Sequence, residues 1–496
     1  MAHDDGKLGH GTAWVGIASG LSGISDVVTT VTVLWLWSSL DPYAVLGTAT
    51  LAGAMLPVLE RLAGLGMAAA IVRHGGADRR ALSTMLWIGV AASGAVLAAM
   101  VAFGTSIGEV FGQPIIGGLL VGYGVRFVVQ NVHLVPESLL RHELAFDALT
   151  RVRIVASLAD AVAKIAVAYA GAHGYPELRV WCFVVAPLVN AVVTSIGIQR
   201  YRPWRPQLAF DRRVAAQALR YGGQVAGGEL LYYLYTNADY LVIGRAWGNT
   251  AVGEYRLAYE LVLDVVRLIS LVTAEVAFPA FARAGRDRLR AGQLLIRFSR
   301  QNAIALVPVI VFLAVAADDL LAVLYPPLPP TATTAARILC LVGALRVISY
   351  VLPTALAGLG HARDALVYHV VAAIALPAAF AAAAWLVPDA GFVAVAWAWA
   401  VAYPLVFGVL LAQTLARCAV PLSAYARQLV GVVACGGVAA ALGIAVHAAL
   451  PAPPLLRLLA VAVVIVVGFG VLLARVERVT PRSVLRALRG QPADDA

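Results

Sequence analysis

Long apolar stretches recur along the whole chain and constrain its fold more than any other feature. About 20 consecutive apolar residues make a helix that crosses the hydrocarbon core of a bilayer. The chain is 61% hydrophobic and 13% charged, whereas soluble domains are about 25% charged. We therefore predict an all-α, polytopic membrane protein. About fourteen spans are expected near residues 14–37, 43–72, 82–103, 115–136, 154–172, 178–198, 219–244, 252–280, 301–324, 332–358, 365–387, 391–413, 428–449 and 455–474.

Basic residues cluster in every second segment between these stretches, so that the clusters fall on one side of the membrane. With a cytoplasmic N-terminus, the positive-inside rule is obeyed throughout, which predicts that both termini are cytoplasmic. The first stretch is longer than a signal-peptide core and is expected to be an uncleaved span. The net charge of +10 is thus explained by topology, and no nucleic-acid partner is expected. The inside clusters lie near residues 73–80, 141–153, 200–213, 283–300 and 475–489.

A weak internal repeat divides the predicted spans into two sets of six. Residues 40–53 and 249–262 are each a turn followed by an apolar helix start with small residues. Transporters are commonly built from such repeats, with the substrate site at the repeat interface. We predict an N-terminal six-helix lobe over 1–213, a second over 214–427, and two extra helices with a cytoplasmic tail over 428–496.

The sequence indicates no metal or redox cofactor. Its four cysteines, at 182, 340, 418 and 435, have neither the close spacing of a metal site nor that of a disulfide framework. Two membrane carboxylates, Asp26 and Glu229, are candidates for binding a coupling proton or sodium ion, and the sequence does not choose between these ions.

Four arginines lie near the middle of predicted spans, where each costs about 2.5–3.5 kcal/mol to insert. They are Arg61, Arg126, Arg267 and Arg346, in the second and fourth helix of each predicted six-helix set. A cavity between the two sets would then have a cationic lining. Because the planar guanidinium binds phosphate in a bidentate way, this predicts a site for a pyrophosphate group. The alternative is that each arginine forms an internal ion pair that fixes helix packing.

The eighth predicted helix carries the densest charge. Regular helical spacing would place Arg256, Glu260, Asp264, Arg267 and Glu275 within one arc of roughly 100°. Arg256 and Glu260 are also spaced to pair with each other. In the fifth helix, Asp160 and Lys164 are expected to form a structural pair.

Other helices carry polar stripes that suit sugar hydroxyls. The alternative for the tyrosines is simple packing, and for the threonines a bond to their own backbone. The predicted cavity lining comprises Asp26, Gln130, His133, Glu229, Tyr233, Thr236, Asn237, Asp239, Arg256, Glu260 and Asp264.

Four passages resemble the Wzx-type polysaccharide flippases, which share a superfamily (MOP) with the MATE drug exporters and lipid II flippases. They are RLAGLGMAAAIVRH (61–74), VPESLLRHELAF (135–146), RPWRPQLAFDRR (202–213) and NADYLVIGRAWGNTAVGEYRLAYEL (237–261), the last followed by VAFPAFAR (276–283). The passages are most similar to exopolysaccharide and colanic-acid-type translocases. The chain departs from the family pattern at Asp264 and Arg267, where apolar residues or proline are usual, and at 325–339.

The resemblance implies two six-helix lobes arranged in a V, in a bacterial inner membrane. It implies movement of a polyprenyl-pyrophosphate-linked oligosaccharide from the cytoplasmic to the outer leaflet by alternating access, without covalent chemistry. Expected partners are that lipid, the bilayer and the polysaccharide polymerase and export machinery; the expected state is a monomer. The alternatives are a MATE-like drug or metabolite exporter, a membrane enzyme of polysaccharide assembly, and a non-transporting scaffold.

Overall fold

The computed structural model describes residues 22–73, 78–285 and 287–476, and all regular secondary structure in these ranges is helical. The elements up to the middle of the chain are α1 (Ser22–Leu36), α2 (Pro42–Gly64), α3 (Met67–Arg73), α4 (Arg79–Val110), α5 (Ile115–His142), α6 (Phe146–Ala172), α7 (Leu178–Tyr201), α8 (Arg212–Thr236) and α9 (Ala238–Tyr259). A π-helical turn (Glu260–Asp264) leads into α10 (Val265–Ala284), α11 (Arg288–Val315), α12 (Ala317–Leu324), α13 (Pro330–Ser349), α14 (Val351–Gly358) and α15 (Ala362–Leu386). A short 3₁₀ turn (Pro388–Ala390) precedes α16 (Val393–Cys418), α17 (Leu422–Ala449) and α18 (Pro454–Val476).

Eleven helical segments among the described residues are long and apolar enough to cross a membrane. Each overlaps a predicted span, so the chain is a multi-pass, all-α membrane protein, as expected. The span predicted at 301–324 is displaced, because α11 begins at Arg288 and ends at Val315. The count of fourteen is not confirmed. The first predicted span begins outside the described residues and appears as α1, while those at 219–244 and 252–280 correspond to the interrupted stretch from α8 to α10.

The second predicted span, 43–72, ends earlier than expected. α2 stops at Gly64, because Leu65 and Gly66 adopt left-handed backbone conformations with φ of 44° and 68°. Gly66 lies so close to α8 that a Cβ atom there would come within 2.4 Å of the Gly222 carbonyl oxygen. This glycine-to-glycine approach holds α8 against the end of α2.

Two compact units divide the described chain between Glu254 and Tyr255. In the first, α4 packs on α5, and α6 on α7; in the second, α11 packs on α13 and α17, and α15 on α16. The predicted lobe boundaries at residues 213 and 427 stay predictions.

The two segments of the predicted repeat, 40–53 and 249–262, are in contact within the first unit. α9 breaks at Gly248, whose φ is 84°. The following residue, Asn249, donates its side-chain Nδ2 hydrogens to Thr48 Oγ1 at 2.9 Å and to the Ala44 carbonyl at 3.1 Å. A Cβ atom on Gly47 would overlap the Asn249 carbonyl, so the two backbones touch without intervening side chains.

The segment between α7 and α8 is fastened along the first turns of α4. Ser83 and Thr84 accept hydrogen bonds from the backbone N–H groups of Gln207 and Asp211, at 2.9 and 3.0 Å. Asp211 also caps α8, and its carboxylate accepts the backbone N–H groups of Val214 and Arg213, which lowers the pKa of this carboxyl.

Buried charge anchors the last helix in the second unit. Asp319 on α12 is only 2% exposed, and its carboxylate accepts from Arg457 Nε at 2.6 Å and lies 3.1 Å from His447 Nε2. The neighbouring Asp318 pairs with Arg337 at 2.7 Å, with both side chains close to half exposed.

Candidate functional site

Consecutive charges near the end of α2 reach two different helices of the first unit. Arg61 Nε forms an ion pair with Glu229 on α8. Its guanidinium lies 5.2 Å from the Tyr233 ring centroid, and Nη2 donates to the Tyr233 hydroxyl at 3.4 Å. Because Gly222 holds α8 against the end of α2, both partners, two and three turns further along α8, come beside Arg61. The side chains of Arg61 and Glu229 remain 33% and 49% exposed, so the pair is not sealed in a dry core.

The preceding residue, Glu60, faces α5. Its Oε1 lies 3.7 Å from Arg126 Nη2 and accepts a long hydrogen bond from Gln130 Nε2 at 3.5 Å. A separation of 3.7 Å is an ion contact but exceeds hydrogen-bond distance. Arg126 is therefore attracted to Glu60 without being held by it.

Residues of α5, α6 and α7 line a cavity of about 250 Å³. We name it the α5–α7 cavity. His133 Nδ1 lies 2.8 Å from Ser195 Oγ on α7, and its Nε2 lies 3.6 Å from Glu137. The polar residues that line the cavity are Arg126, Gln130, His133, Glu137, Arg141, Thr150, Arg153, Asn190 and Thr194.

Lys164 on α6 has a different partner from the one expected. Its Nζ lies 2.5 Å from Asp26 Oδ1 on α1, and the predicted bond to Asp160 is replaced by this inter-helix pair. Lys164 is buried and lies 5.8 Å from the Phe183 ring centroid, so Asp26 serves to neutralise a buried cation. The sequence pattern favoured the local i,i+4 pair because it contained no information on which helix lies beside α6.

Three residues of the predicted cavity lining lie at the junction of α8 and α9. Thr236 Oγ1 donates to the Tyr232 carbonyl at 2.9 Å, and Asn237 Nδ2 donates to the Tyr233 carbonyl at 2.9 Å. Asp239 is fully buried, and its carboxylate accepts the N–H of Tyr240 at 2.9 Å. These side chains satisfy backbone groups where the helix is interrupted, which is the alternative that the sequence left open for Thr236.

The charged stripe of the eighth predicted span is divided by the π turn. Arg256 pairs at 2.5 Å with Glu260, the first residue of the turn, and Arg267 pairs at 3.1 Å with Asp264, its last residue. A π turn inserts an extra residue into the helical repeat and rotates everything that follows. The uniform spacing assumed for a single 100° arc therefore does not hold in this segment.

Arg346, in the second unit, is enclosed by aromatic rings. It is 5% exposed, its guanidinium lies 4.6 Å from the Trp399 ring centroid and 5.3 Å from that of Tyr403, and Nη1 donates to the Tyr259 hydroxyl at 3.4 Å. Stacking on aromatic faces stabilises a desolvated cation by about 2 kcal/mol.

The structure thus brings Arg61, Arg126, Gln130, Glu229 and Tyr233 together around α2 in the first unit. Arg267 and Arg346 belong to the second unit, in the two environments described above. Sequence reasoning stopped the α5 stripe at His133, although Glu137 and Arg141 continue it at intervals of four residues. It missed Arg153, Asn190 and Thr194 because they come from other helices.

Comparison with solved structures defines the class of protein. The fold is similar to "Lipid II flippase MurJ, inward closed conformation", with a TM-score of 0.75 at 12% identity over 93% of this chain and 98% of that one. It is also similar to an inward-facing multidrug-resistance MATE family transporter of the MOP superfamily, with a TM-score of 0.56 at 17% identity over 78% and 95% of the two chains. The chain therefore has the fold shared by these membrane transporters.

The chain belongs to the family described as "Polysaccharide biosynthesis protein", whose model matches residues 43–326. It is 26% identical to the amylovoran biosynthesis protein AmsL of Erwinia amylovora, over 66% of this chain and 84% of AmsL. It is 24% identical to the lipopolysaccharide biosynthesis protein WzxC of Escherichia coli K12, over 60% of each chain. It is 22% identical to the teichuronic acid biosynthesis protein TuaB of Bacillus subtilis 168, over 57% of this chain and 58% of TuaB. The predicted resemblance to Wzx-type proteins is confirmed by the match to WzxC.

Proposed function

We propose that this protein is a flippase that moves a polyprenyl-pyrophosphate-linked oligosaccharide from the cytoplasmic to the outer leaflet, for surface or exopolysaccharide synthesis. Family membership and the MurJ-like fold support this function. The observation that carries it is the partly exposed Arg61–Glu229 pair, whose arginine lies on the apolar span α2. A charge pair in this position is expensive unless it lines a polar path.

The pyrophosphate is proposed to compete with carboxylates for the arginines. Arg61 is paired with Glu229, and Arg126 lies 3.7 Å from Glu60; both carboxylates are partly exposed. A pyrophosphate carries more charge than a carboxylate and accepts bidentate bonds from guanidinium groups. Binding therefore exchanges one anion for another without leaving the cations uncompensated. Arg267 and Arg346 complete the proposed set, although enclosed Arg346 would first have to leave its aromatic rings.

Transport is proposed to proceed by alternating access, with no covalent bond made or broken, so the protein is not expected to be an enzyme. The coupling ion, a proton or sodium, is to be identified by varying each gradient separately. The proposed setting is a bacterial inner membrane with both termini cytoplasmic. The proposed partners are the polymerase and export machinery, and the protein is proposed to act as a monomer.

The test is gene deletion followed by analysis of lipid-linked oligosaccharides. We expect them to accumulate on the cytoplasmic side and surface polysaccharide to fall, with both defects reversed by the wild-type gene and neither by Arg61→Ala at equal protein level. Arg73→Gln is the matched control, because Arg73 also lies over a tyrosine of α8, 4.6 Å from the Tyr221 ring centroid. Changed drug tolerance with normal polysaccharide would instead support a MATE-like exporter. Loss of oligosaccharide synthesis itself would support an enzyme.

A further inference from the structure

The α5–α7 cavity is too small for the proposed oligosaccharide substrate. Its volume is about 250 Å³, whereas pockets for drug-sized ligands occupy about 300–1,000 Å³. A single phosphate group with a short attachment fits this space. The cavity also lies wholly within the first unit, and all of its lining residues belong to α5, α6 and α7.

Positive charge dominates its lining. Arg126, Arg141 and Arg153 supply three guanidinium groups, and Glu137 supplies one carboxylate. With His133 neutral and Glu60 counted against Arg126, three positive charges face two negative charges, so the surroundings of the cavity keep a net positive charge. A phosphate ester brings one or two negative charges and would balance the lining.

Two of these arginines, Arg126 and Arg141, retain hydrogen-bond donors. In the described part of the chain, Arg126 meets Glu60 only at 3.7 Å and makes no hydrogen bond. Arg141 gives Nε–H and Nη2–H to a single oxygen of Glu137, at 3.2 and 2.6 Å. Because a guanidinium has five N–H donors, both groups keep donors for an oxyanion.

A buried hydroxyl in the lining also lacks a partner. Thr150 is 3% exposed, and its Oγ1 makes no hydrogen bond to any described residue. A buried polar group left in this way normally has a bound water or ligand to explain it. The threonine comes from α6, so this observation is independent of the α5 charges.

The helix beside the cavity presents an apolar stripe to its surroundings. Val155, Leu158 and Val162 on α6 are all exposed and share one face. In a bilayer this face lies against acyl chains. At 100° per residue, however, these positions lie on the side of α6 away from Leu149 and Arg153, which line the cavity, so the stripe does not decide whether the bound phosphate belongs to a lipid.

We infer that the α5–α7 cavity is a binding site for the phosphate group of a small anionic ligand, held by Arg126, Arg141, Arg153 and Thr150. The source of this phosphate group is either an anionic phospholipid or phosphate dissolved in water, and the two arms of the test distinguish them. The site contains neither Arg61 nor Glu229 and shares only Arg126 with the proposed substrate set, and the inference does not rest on transport activity.

The test uses the full chain, purified in detergent and titrated with phosphatidylglycerol under native mass spectrometry. Arg141→Gln and Arg153→Gln are each expected to weaken retention of one phosphatidylglycerol on the order of tenfold, because each removes charge-assisted bonds. Thr150→Val keeps the side-chain shape and should weaken it about threefold. Arg151→Gln is the matched control, since Arg151 is exposed on the same helix and does not line the cavity. Arg126 is left unchanged because it belongs to the proposed substrate set.

A second arm adds inorganic phosphate and phosphatidylcholine. Displacement of phosphatidylglycerol by millimolar phosphate would support the site and assign it a water-borne ligand, while selective retention of phosphatidylglycerol over phosphatidylcholine would assign it an anionic lipid. Unchanged retention in Arg141→Gln and Arg153→Gln, or equal weakening in Arg151→Gln, would overturn the inference. Unchanged unfolding temperatures are expected to show that the variants still fold. Arg153→Lys, which keeps the positive charge, is expected to recover part of the lost binding.

Discussion

Single and double glutamine variants of Arg61 and Glu229 distinguish a structural role of this ion pair from a role of Arg61 in binding substrate. In the single variant Arg61→Gln, Glu229 keeps its charge but loses its cation. In Glu229→Gln, Arg61 keeps its charge and gains unshared donors. The double variant removes both charges and keeps two polar side chains of similar size, so it has no uncompensated charge.

The stability effect follows from the exposure of the two side chains. Fully exposed pairs contribute about 0.2–1 kcal/mol, and breaking a buried pair costs about 3–5 kcal/mol. With Arg61 and Glu229 at 33% and 49% exposure, we expect Arg61→Gln to destabilise the protein by about 1–2 kcal/mol. The double variant should recover most of this loss.

The transport effect is expected to be different. A hydrogen bond to a charged group contributes about 1.5–3 kcal/mol, and each 1.4 kcal/mol corresponds to about tenfold. If Arg61 binds the pyrophosphate, export should therefore fall about 10- to 100-fold in Arg61→Gln and remain equally low in the double variant. Glu229→Gln should keep Arg61 available and retain export.

The assay combines two readouts on the same strains. Accumulated lipid-linked oligosaccharide measures export, and the unfolding temperature of the purified protein measures stability. A change of 1 kcal/mol shifts the midpoint by about 2–4 °C in units of this size. Recovery of export in the double variant would refute the reasoning, because it would mean that Arg61 only neutralises Glu229.

Three further predictions concern stability and are checked by thermal unfolding. Gly222→Ala should destabilise the protein by about 1–3 kcal/mol, since its Cβ would lie 2.2 Å from a backbone oxygen at the end of α2, whereas Gly223→Ala meets nothing within 4 Å and should be neutral. Asp319→Asn should cost about 3–5 kcal/mol by leaving a cation on α18 unpaired, whereas Asp318→Asn, in an exposed pair, should cost less than about 1 kcal/mol. Because the pKa of Asp211 is lowered in the folded protein, its contribution to the free energy of unfolding is complete above the ordinary carboxyl pKa and is lost as pH falls through the folded-state pKa. Asp211→Asn should therefore make stability less dependent on pH in the acid range. An unchanged dependence would contradict the role of Asp211 as a cap.

Much of the fold could be predicted from hydropathy because membrane insertion depends on a local sum over about 20 residues. All eleven apolar helical segments overlap predicted spans. The predictions were wrong where the backbone departs from a regular α-helix. The second span was predicted as continuous to residue 72, but α2 ends at Gly64 because Leu65 and Gly66 adopt left-handed conformations. The predicted charge arc is divided by the π turn at Glu260–Asp264, which no simple periodicity would indicate.

The sequence predicted which charged residues the candidate site contains but not which of them are in contact. The sequence by itself determined that the chain spans a membrane, that arginines lie within its spans, and that it resembles Wzx-type proteins, because composition, spacing and motifs are properties of the chain alone. The tertiary structure decided that Arg61 meets Glu229, that Lys164 meets Asp26 in place of Asp160, and that arginines of α5 and α6 share one cavity. The physical reason is that a charge pairs with whatever oppositely charged group helix packing brings within a few ångströms, and that distance is independent of separation along the chain.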